Sequence, residues 1–122
     1  MCGICGVIRY DKDHTDETLI EKMLPALETR GPDDEGIYTK DGVSFGHKRL
    51  SIIDLSENGH QPMIDKELKL AIVYNGEIYN FQELRDELRK KGYSFRSTSD
   101  TEVLLKAYHA WGDEFVKRLN GM

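Results

Sequence analysis

A cysteine stands second in the chain, in Met1-Cys2-Gly3-Ile4-Cys5-Gly6. Once an initiator methionine is trimmed, Cys2 becomes the N-terminus and carries a thiol and a free α-amine on one residue. The amine has an unperturbed pKa of about 7.7–8.0, so part of it is neutral near pH 7 and can take a proton. The thiol, at about 8.5, needs such a base because the thiolate is the nucleophile. Nucleophile and base within one residue form a recognised catalytic pair. A cysteine nucleophile acting on a carboxamide also needs donors for a developing oxyanion, a clamp for the rest of the substrate and exclusion of water. Three polar stretches offer candidates: Gly46-His47-Lys48-Arg49-Leu50-Ser51, Tyr74-Asn75-Gly76-Glu77-Ile78-Tyr79-Asn80 and Ser97-Thr98-Ser99-Asp100. Each falls where a strand is expected to end or a helix to begin, which is where loops position functional groups.

Cys2 and Cys5 also make a C-x-x-C spacing. A redox pair of this kind sits at a helix N-terminus, whereas Ile4, Val7, Ile8 and Tyr10 with intervening glycines read as a strand. Residues three apart on a strand point to opposite faces, so the thiols are not expected to meet. Zinc would need further ligands, and neither a second cysteine pair nor a histidine pair is at hand. Cys5 reads as a small buried hydrophobe.

The chain of 122 residues fits one domain, 1–122, with 39% apolar and 32% charged residues. Its net charge of −5 argues against a nucleic-acid or anionic-membrane surface. The longest apolar run, Leu70 to Tyr74, is far too short to span a bilayer. With no secretory signal before Cys2, the expected compartment is the cytoplasm.

The elements that must hold these residues follow from periodicity. Residues 3–10 read as a strand. Leu19, Met23 and Leu27, flanked by Ile20 and Leu24, mark one face of a helix between Asp13 and Thr29, interrupted at Pro25. Arg30 to Asp34 reads as a turn. Asp41-Gly42 joins strands 36–40 and 43–47 as a hairpin, and Arg49 to Ile53 reads as a further short strand. A polar loop covers 54–63, and Lys69 to Tyr74 reads as a strand buried on both faces. Asn80 with Glu83 and Ser99 with Glu102 form two capping boxes, opening helices that run to about Lys91 and Trp111, ended by Gly92 and Gly112. Tyr93 to Arg96 reads as a short strand between them, and a last helical turn covers 113–119. The class is α+β with antiparallel sheets.

Six motifs in order carry a resemblance: Cys2-Gly3-Ile4, Arg30-Gly31-Pro32-Asp33, His47 to Asp54, Gln61-Pro62-Met63, Asn75 to Asn80, and Ser99-Asp100-Thr101-Glu102. Together they resemble the N-terminal glutaminase domain of glutamine-hydrolysing asparagine synthases, a class II amidotransferase of the N-terminal-nucleophile type. The resemblance implies a four-layer αββα sandwich of antiparallel sheets. The family pattern continues past Asn120-Gly121-Met122, so a C-terminally truncated domain, with the synthase domain absent, is expected.

The resemblance also implies roles. Cys2 is the nucleophile, with its own α-amine as base. The Asn75 side chain and Gly76 N–H form the oxyanion hole. Arg49 pairs with the α-carboxylate of glutamine, Glu77 and Asp100 face its α-ammonium, and backbone groups of Leu50, Ser51, Ile52 and Ile53 line the pocket. It implies no cofactor or metal for this domain. ATP and Mg²⁺ serve the missing synthase domain, which is also the expected partner in a full-length homodimer making asparagine from aspartate. The acceptor of the ammonia is left open, since a sugar acid would serve the same half-reaction, as is an inactive fold fragment. The residues alone leave other readings open: Asn75-Gly76 as a type I′ turn, Arg49 as a surface ion-pair partner, Asp100 as a complement to a helix dipole and Glu77 as a solvated charge. Arg30 and Asp33 read as fixing a turn near the site.

Overall fold

The computed structural model describes residues 1–11 and 13–122. Three strands form the first sheet: β1 (Gly3–Ile8), β2 (Asp34–Lys40) and β3 (Val43–Arg49), in the order β1-β3-β2 and antiparallel throughout. The Asp41-Gly42 turn forms as the sequence requires, with φ of 49° and 79° at the two central residues. Helix α1 (Glu17–Met23) lies on one face of this sheet and buries Ile20 against it. Pro25 acts as expected: α1 stops at Met23 and Leu24–Leu27 winds on as a 3₁₀ turn. Gly46 is required at the contact, because an added Cβ would press on Ile20 and on the Cys5 sulfur.

A second, two-stranded antiparallel sheet pairs β4 (Met63–Asp65) with β5 (Leu70–Ile72). Helix α2 (Phe81–Lys90) packs on α3 (Asp100–Trp111), followed by a 3₁₀ segment, Gly112–Arg118. The larger core lies here: Ile78, Leu84, Leu88, Val103, Leu104 and Ala107, with Ile72, Phe81 and Trp111 against its rim. Gly92 and Gly112 end the two helices at φ of 98° and 60°. Among the described residues no helix is long and apolar enough to cross a membrane.

Five local expectations are not met, the first four because of side-chain chemistry. The strand expected at 49–53 ends at Arg49, because the Ser51 N–H is taken by the Asp33 carboxylate at 2.8 Å instead of a ladder partner. No strand forms over 93–96: the Arg96 and Ser97 amides donate to the Glu102 carboxylate, at 3.1 and 2.8 Å. That also dissolves the second capping box. Ser99 does cap α3, accepting from the Thr101 N–H, but Glu102 reaches back past it and holds Lys106 as well. The first capping box fails too, because Asn80 spends its amide on the Arg118 carbonyl and the Asn120 N–H. β5 is shorter than the expected 69–74, and its residues are half-buried, not enclosed on both faces.

Two outcomes follow from this packing. Leu88 is fully buried, so Leu88→Ala is expected to lower unfolding free energy by about 2–5 kcal/mol in urea titration. Burial would raise the Glu102 carboxyl, but Lys106, Ser97 and the two amides outweigh it and hold the group below the usual glutamate range. A carboxyl held low in the folded state adds stability above its unfolded pKa and loses it as pH falls through the folded value. Glu102→Gln is therefore expected to be less stable than the parent at pH 7, with the gap closing as the medium is acidified below the ordinary glutamate pKa.

Candidate functional site

Four separate segments converge on one cleft. Its walls are Cys2 just before β1; Arg49, Leu50, Ile52 and Ile53 from the end of β3 and the loop after it; Tyr74 to Glu77 after β5; and Ser99 to Thr101 at the start of α3, with Met1, Asp54, Gly59, Gln61 and Met122 completing it. Ser51 stands apart from the other expected wall residues. Its amide is committed to Asp33, and it lines a separate outer depression.

The Cys2 sulfur is held by the backbone of one residue. The Leu50 N–H donates to Sγ at 3.3 Å, and Sγ lies 3.6 Å from the Leu50 carbonyl. A thiol can donate to that carbonyl and a thiolate can accept from that N–H, so both protonation states find a partner. The Arg30 guanidinium fixes the backbone here, donating to the Cys2 carbonyl at 3.1 Å. Cys5 lies on the other side of the sheet against Gly46, and burial pushes its thiol up. Both cysteines are free.

Arg49 is 93% buried, at 7% exposure, yet has no carboxylate partner among the described residues. Its guanidinium donates only to the carbonyls of Ser56 and Asp54. Gly59 permits this wrapping, since an added Cβ would collide with the guanidinium. The surface ion-pair reading of Arg49 therefore fails. A buried cation satisfied only by neutral carbonyls keeps its charge available for an incoming anion.

Asp54, which sequence reasoning left in a polar loop, organises this side of the cleft. Its Oδ1 accepts from the Ser56 N–H and hydroxyl, and its Oδ2 accepts from the Thr98 N–H at 2.9 Å. Burial opposes its charge, but these donors prevail and hold the carboxyl below its ordinary range. One side chain thus ties the loop around Arg49 to the residues that open α3.

Asp100 presents the opposite balance. At 5% exposure its Oδ2 accepts the Ile78 N–H at 3.0 Å, but desolvation dominates and raises its pKa, with Glu77 adding to the rise. The N–H groups of Thr101 and of Asp100 itself also favour the charge, as the helix-terminus reading expects, without outweighing desolvation. Glu77 is exposed at the cleft edge, and its backbone N–H and C=O pair with Met122 at 2.9 Å. Neither its carboxylate nor the Asn75 amide has a side-chain partner among the described residues. The segment is not a hairpin turn: it runs on through an antiparallel bridge from Ile78 to Gly121 into α2. Gly76 is crowded, and an added Cβ would strike the Met122 carbonyl and the Tyr74 hydroxyl. No group of three or more His, Cys, Asp or Glu able to hold a metal occurs among the described residues.

The cleft thus holds a thiol, one buried cation, unspent amide donors and three carboxylates, of which that of Asp54 is taken up by Ser56 and Thr98. That set suits a zwitterion bearing a carboxamide. A family model described as a glutamine amidotransferase domain matches residues 1–122. Asparagine synthetase (glutamine-hydrolyzing) 3 of Bacillus subtilis is 45% identical over 125 residues, covering 100% of this chain and 20% of that protein. The putative asparagine synthetase (glutamine-hydrolyzing) 2 of Methanocaldococcus jannaschii is 46% identical over 140 residues, covering 100% of this chain and 26% of its own length. Asparagine synthetase (glutamine-hydrolyzing) 3 of Arabidopsis thaliana is 37% identical, with 100% and 21% covered. The chain spans about a fifth to a quarter of the length of these relatives.

A carboxyl whose folded pKa is raised favours folding only while it is protonated, below the unfolded value, and loses that contribution as pH rises through the folded one. Asp100→Asn keeps an acceptor for the Ile78 N–H and removes the buried charge. It is expected to be at least as stable as the parent at pH 7 in urea titration, and markedly less so relative to the parent near pH 3.

Proposed function

Because the chain belongs to the glutamine amidotransferase domain family, we propose that it hydrolyses glutamine to glutamate and ammonia through a thioester on Cys2. One observation carries the reading: the Cys2 sulfur shares a cleft with the buried, carboxylate-free Arg49 and with Asn75, Gly76, Glu77 and Asp100. Arg49 receives the α-carboxylate, for which its planar fork is suited. Asp100 and Glu77 receive the α-ammonium, a partner that relieves the cost of the buried Asp100 charge. These two contacts fix the substrate at its α-carbon end and present the side-chain carboxamide to sulfur.

With Met1 removed, the α-amine of Cys2 takes the thiol proton, and the Leu50 N–H supports the resulting thiolate. Sulfur attacks the carboxamide carbon, and the C=O π electrons move onto oxygen. The Asn75 side-chain amide and the Gly76 N–H donate to that oxyanion. Its collapse breaks the C–N bond, and the ammonium form of the Cys2 amine returns the proton to the leaving nitrogen. Water then adds to the thioester through a second oxyanion in the same place, releasing glutamate and the thiol.

We propose further that the two sheets, with α1 outside the first and α3 against β5, belong to a four-layer αββα plan. In a longer chain built like the asparagine synthetases, the ammonia would pass to a synthase segment that converts aspartate to asparagine with ATP and Mg²⁺, in a cytoplasmic homodimer. No residue among these 122 is assigned to that second step.

Ammonia release from glutamine tests the reading. Cys2→Ala is expected to abolish it and Cys5→Ala to leave it intact. Asn75→Ala removes one oxyanion donor and is expected to lower kcat on the order of 10²–10³-fold with little change in KM. Equal release by the parent and Cys2→Ala would reject the proposal.

A further inference from the structure

The reaction above leaves His47 and the Gln61-Pro62-Met63 motif without a role, and both close on Tyr74. β5 ends at Ile72, so Tyr74, Asn75 and Gly76 lie outside any sheet ladder. Continuing the register that faces Met63 with Ile72 would set Tyr74 opposite Gln61. The backbone does not complete that pair, but the Gln61 side chain does. Its Oε1 accepts the Tyr74 N–H at 2.6 Å, while His47 Nε2 donates to the Tyr74 carbonyl at 3.2 Å.

Chemistry fixes both orientations. A peptide N–H can only donate, so the Gln61 oxygen must face it, and the amide nitrogen goes to Thr101 Oγ1 at 3.2 Å. A peptide carbonyl can only accept, so His47 carries its proton on Nε2. Its Nδ1 is then a bare acceptor, and it meets no partner among the described residues. His47 is fully buried and Gln61 nearly so, and desolvation keeps the imidazole neutral by lowering its pKa. An apolar side chain of similar size would avoid the orphaned nitrogen. What the imidazole adds is the donor to Tyr74.

We propose that Gln61 and His47 are positioning residues that grip the Tyr74 backbone on both sides of its Cα and so set where the Asn75 side chain and the Gly76 N–H stand relative to the Cys2 sulfur. The proposal rests on reading Asn75 and Gly76 as the oxyanion donors. Neither bond to the Tyr74 backbone involves Arg49 or Asp100, and the Gln61 bond beside Asp100 ends on the Thr101 hydroxyl, not on the Asp100 carboxylate. The oxyanion exists only near the transition state, so loosening the grip costs kcat and spares KM.

Three variants test it: Gln61→Met, which keeps length and loses the acceptor; His47→Leu, which loses the donor; and His47→Gln, which returns an N–H near the Nε2 position. Gln61→Met and His47→Leu are expected to lower kcat for glutamine about 10- to 100-fold, with KM within about twofold. His47→Gln is expected to recover most of the loss. Amide hydrogen exchange supplies a readout independent of turnover: the Tyr74 N–H should exchange at least about tenfold faster in Gln61→Met, while Leu88 in α2 is unchanged. A raised KM with intact kcat, or unchanged Tyr74 exchange in Gln61→Met, would overturn the proposal. A parent chain that releases no ammonia would instead overturn the glutaminase reading, with Tyr74 exchange still deciding whether the grip exists.

Discussion

The site depends on one buried carboxylate. Asp54 accepts from Ser56 on one oxygen and from Thr98 on the other, and so fastens the loop after β3 to the residues before α3. Arg49 owes its place to that loop, because both carbonyls that hold its guanidinium belong to residues 54 and 56. Asp100 owes its place to the start of α3. The distance between the cation and the carboxylate that would grip the two charges of an amino acid is therefore set by a group that touches neither end of it.

The same device recurs around the cleft. Asp33 closes the Ser51 amide, Glu102 closes those of Arg96 and Ser97, and Asp100 closes that of Ile78. Sheets end early here, and acceptors on side chains take over the obligatory backbone donors. A ladder can place a backbone only in steps of its own repeat. Side-chain acceptors free the cleft walls from that repeat, at the cost of burying charge. Where donors are plentiful, as at Asp54 and Glu102, the charge is held easily and the pKa falls. At Asp100, desolvation outweighs the donors and the pKa rises, a balance that a nearby cation would reverse.

This division explains what was legible in the sequence. Hairpin β2–β3, the two helices of the larger core and their glycine stops follow from local rules: Asp41-Gly42, apolar periodicity, Gly92 and Gly112. Cys2 stood out by its position, whereas the individual roles of Arg49, Asn75 and Asp100 came from the resemblance of the six motifs. The strands expected at 49–53 and 93–96 failed because their amides are claimed by acidic residues 18 and 5–6 positions away, a competition invisible to local propensity. Glu102 looked like half of a capping box on spacing alone, and only its three-dimensional surroundings show it reaching Lys106 and Ser97. Asp54, Gln61 and His47 lay within the motifs but received no role for the same reason. Their partners, Thr98, Tyr74 and Thr101, lie 13 to 44 residues away.

The central claim is that Cys2, as the N-terminal residue, carries the substrate's acyl group. The most direct measurement is mass spectrometry of the N-terminal peptide after rapid acid quench of the chain turning over glutamine. The account predicts a peptide that begins at Cys2 and bears a glutamyl group on its sulfur. A glutamyl group found on Cys5, or turnover by a chain whose Met1 is uniformly retained, would contradict it.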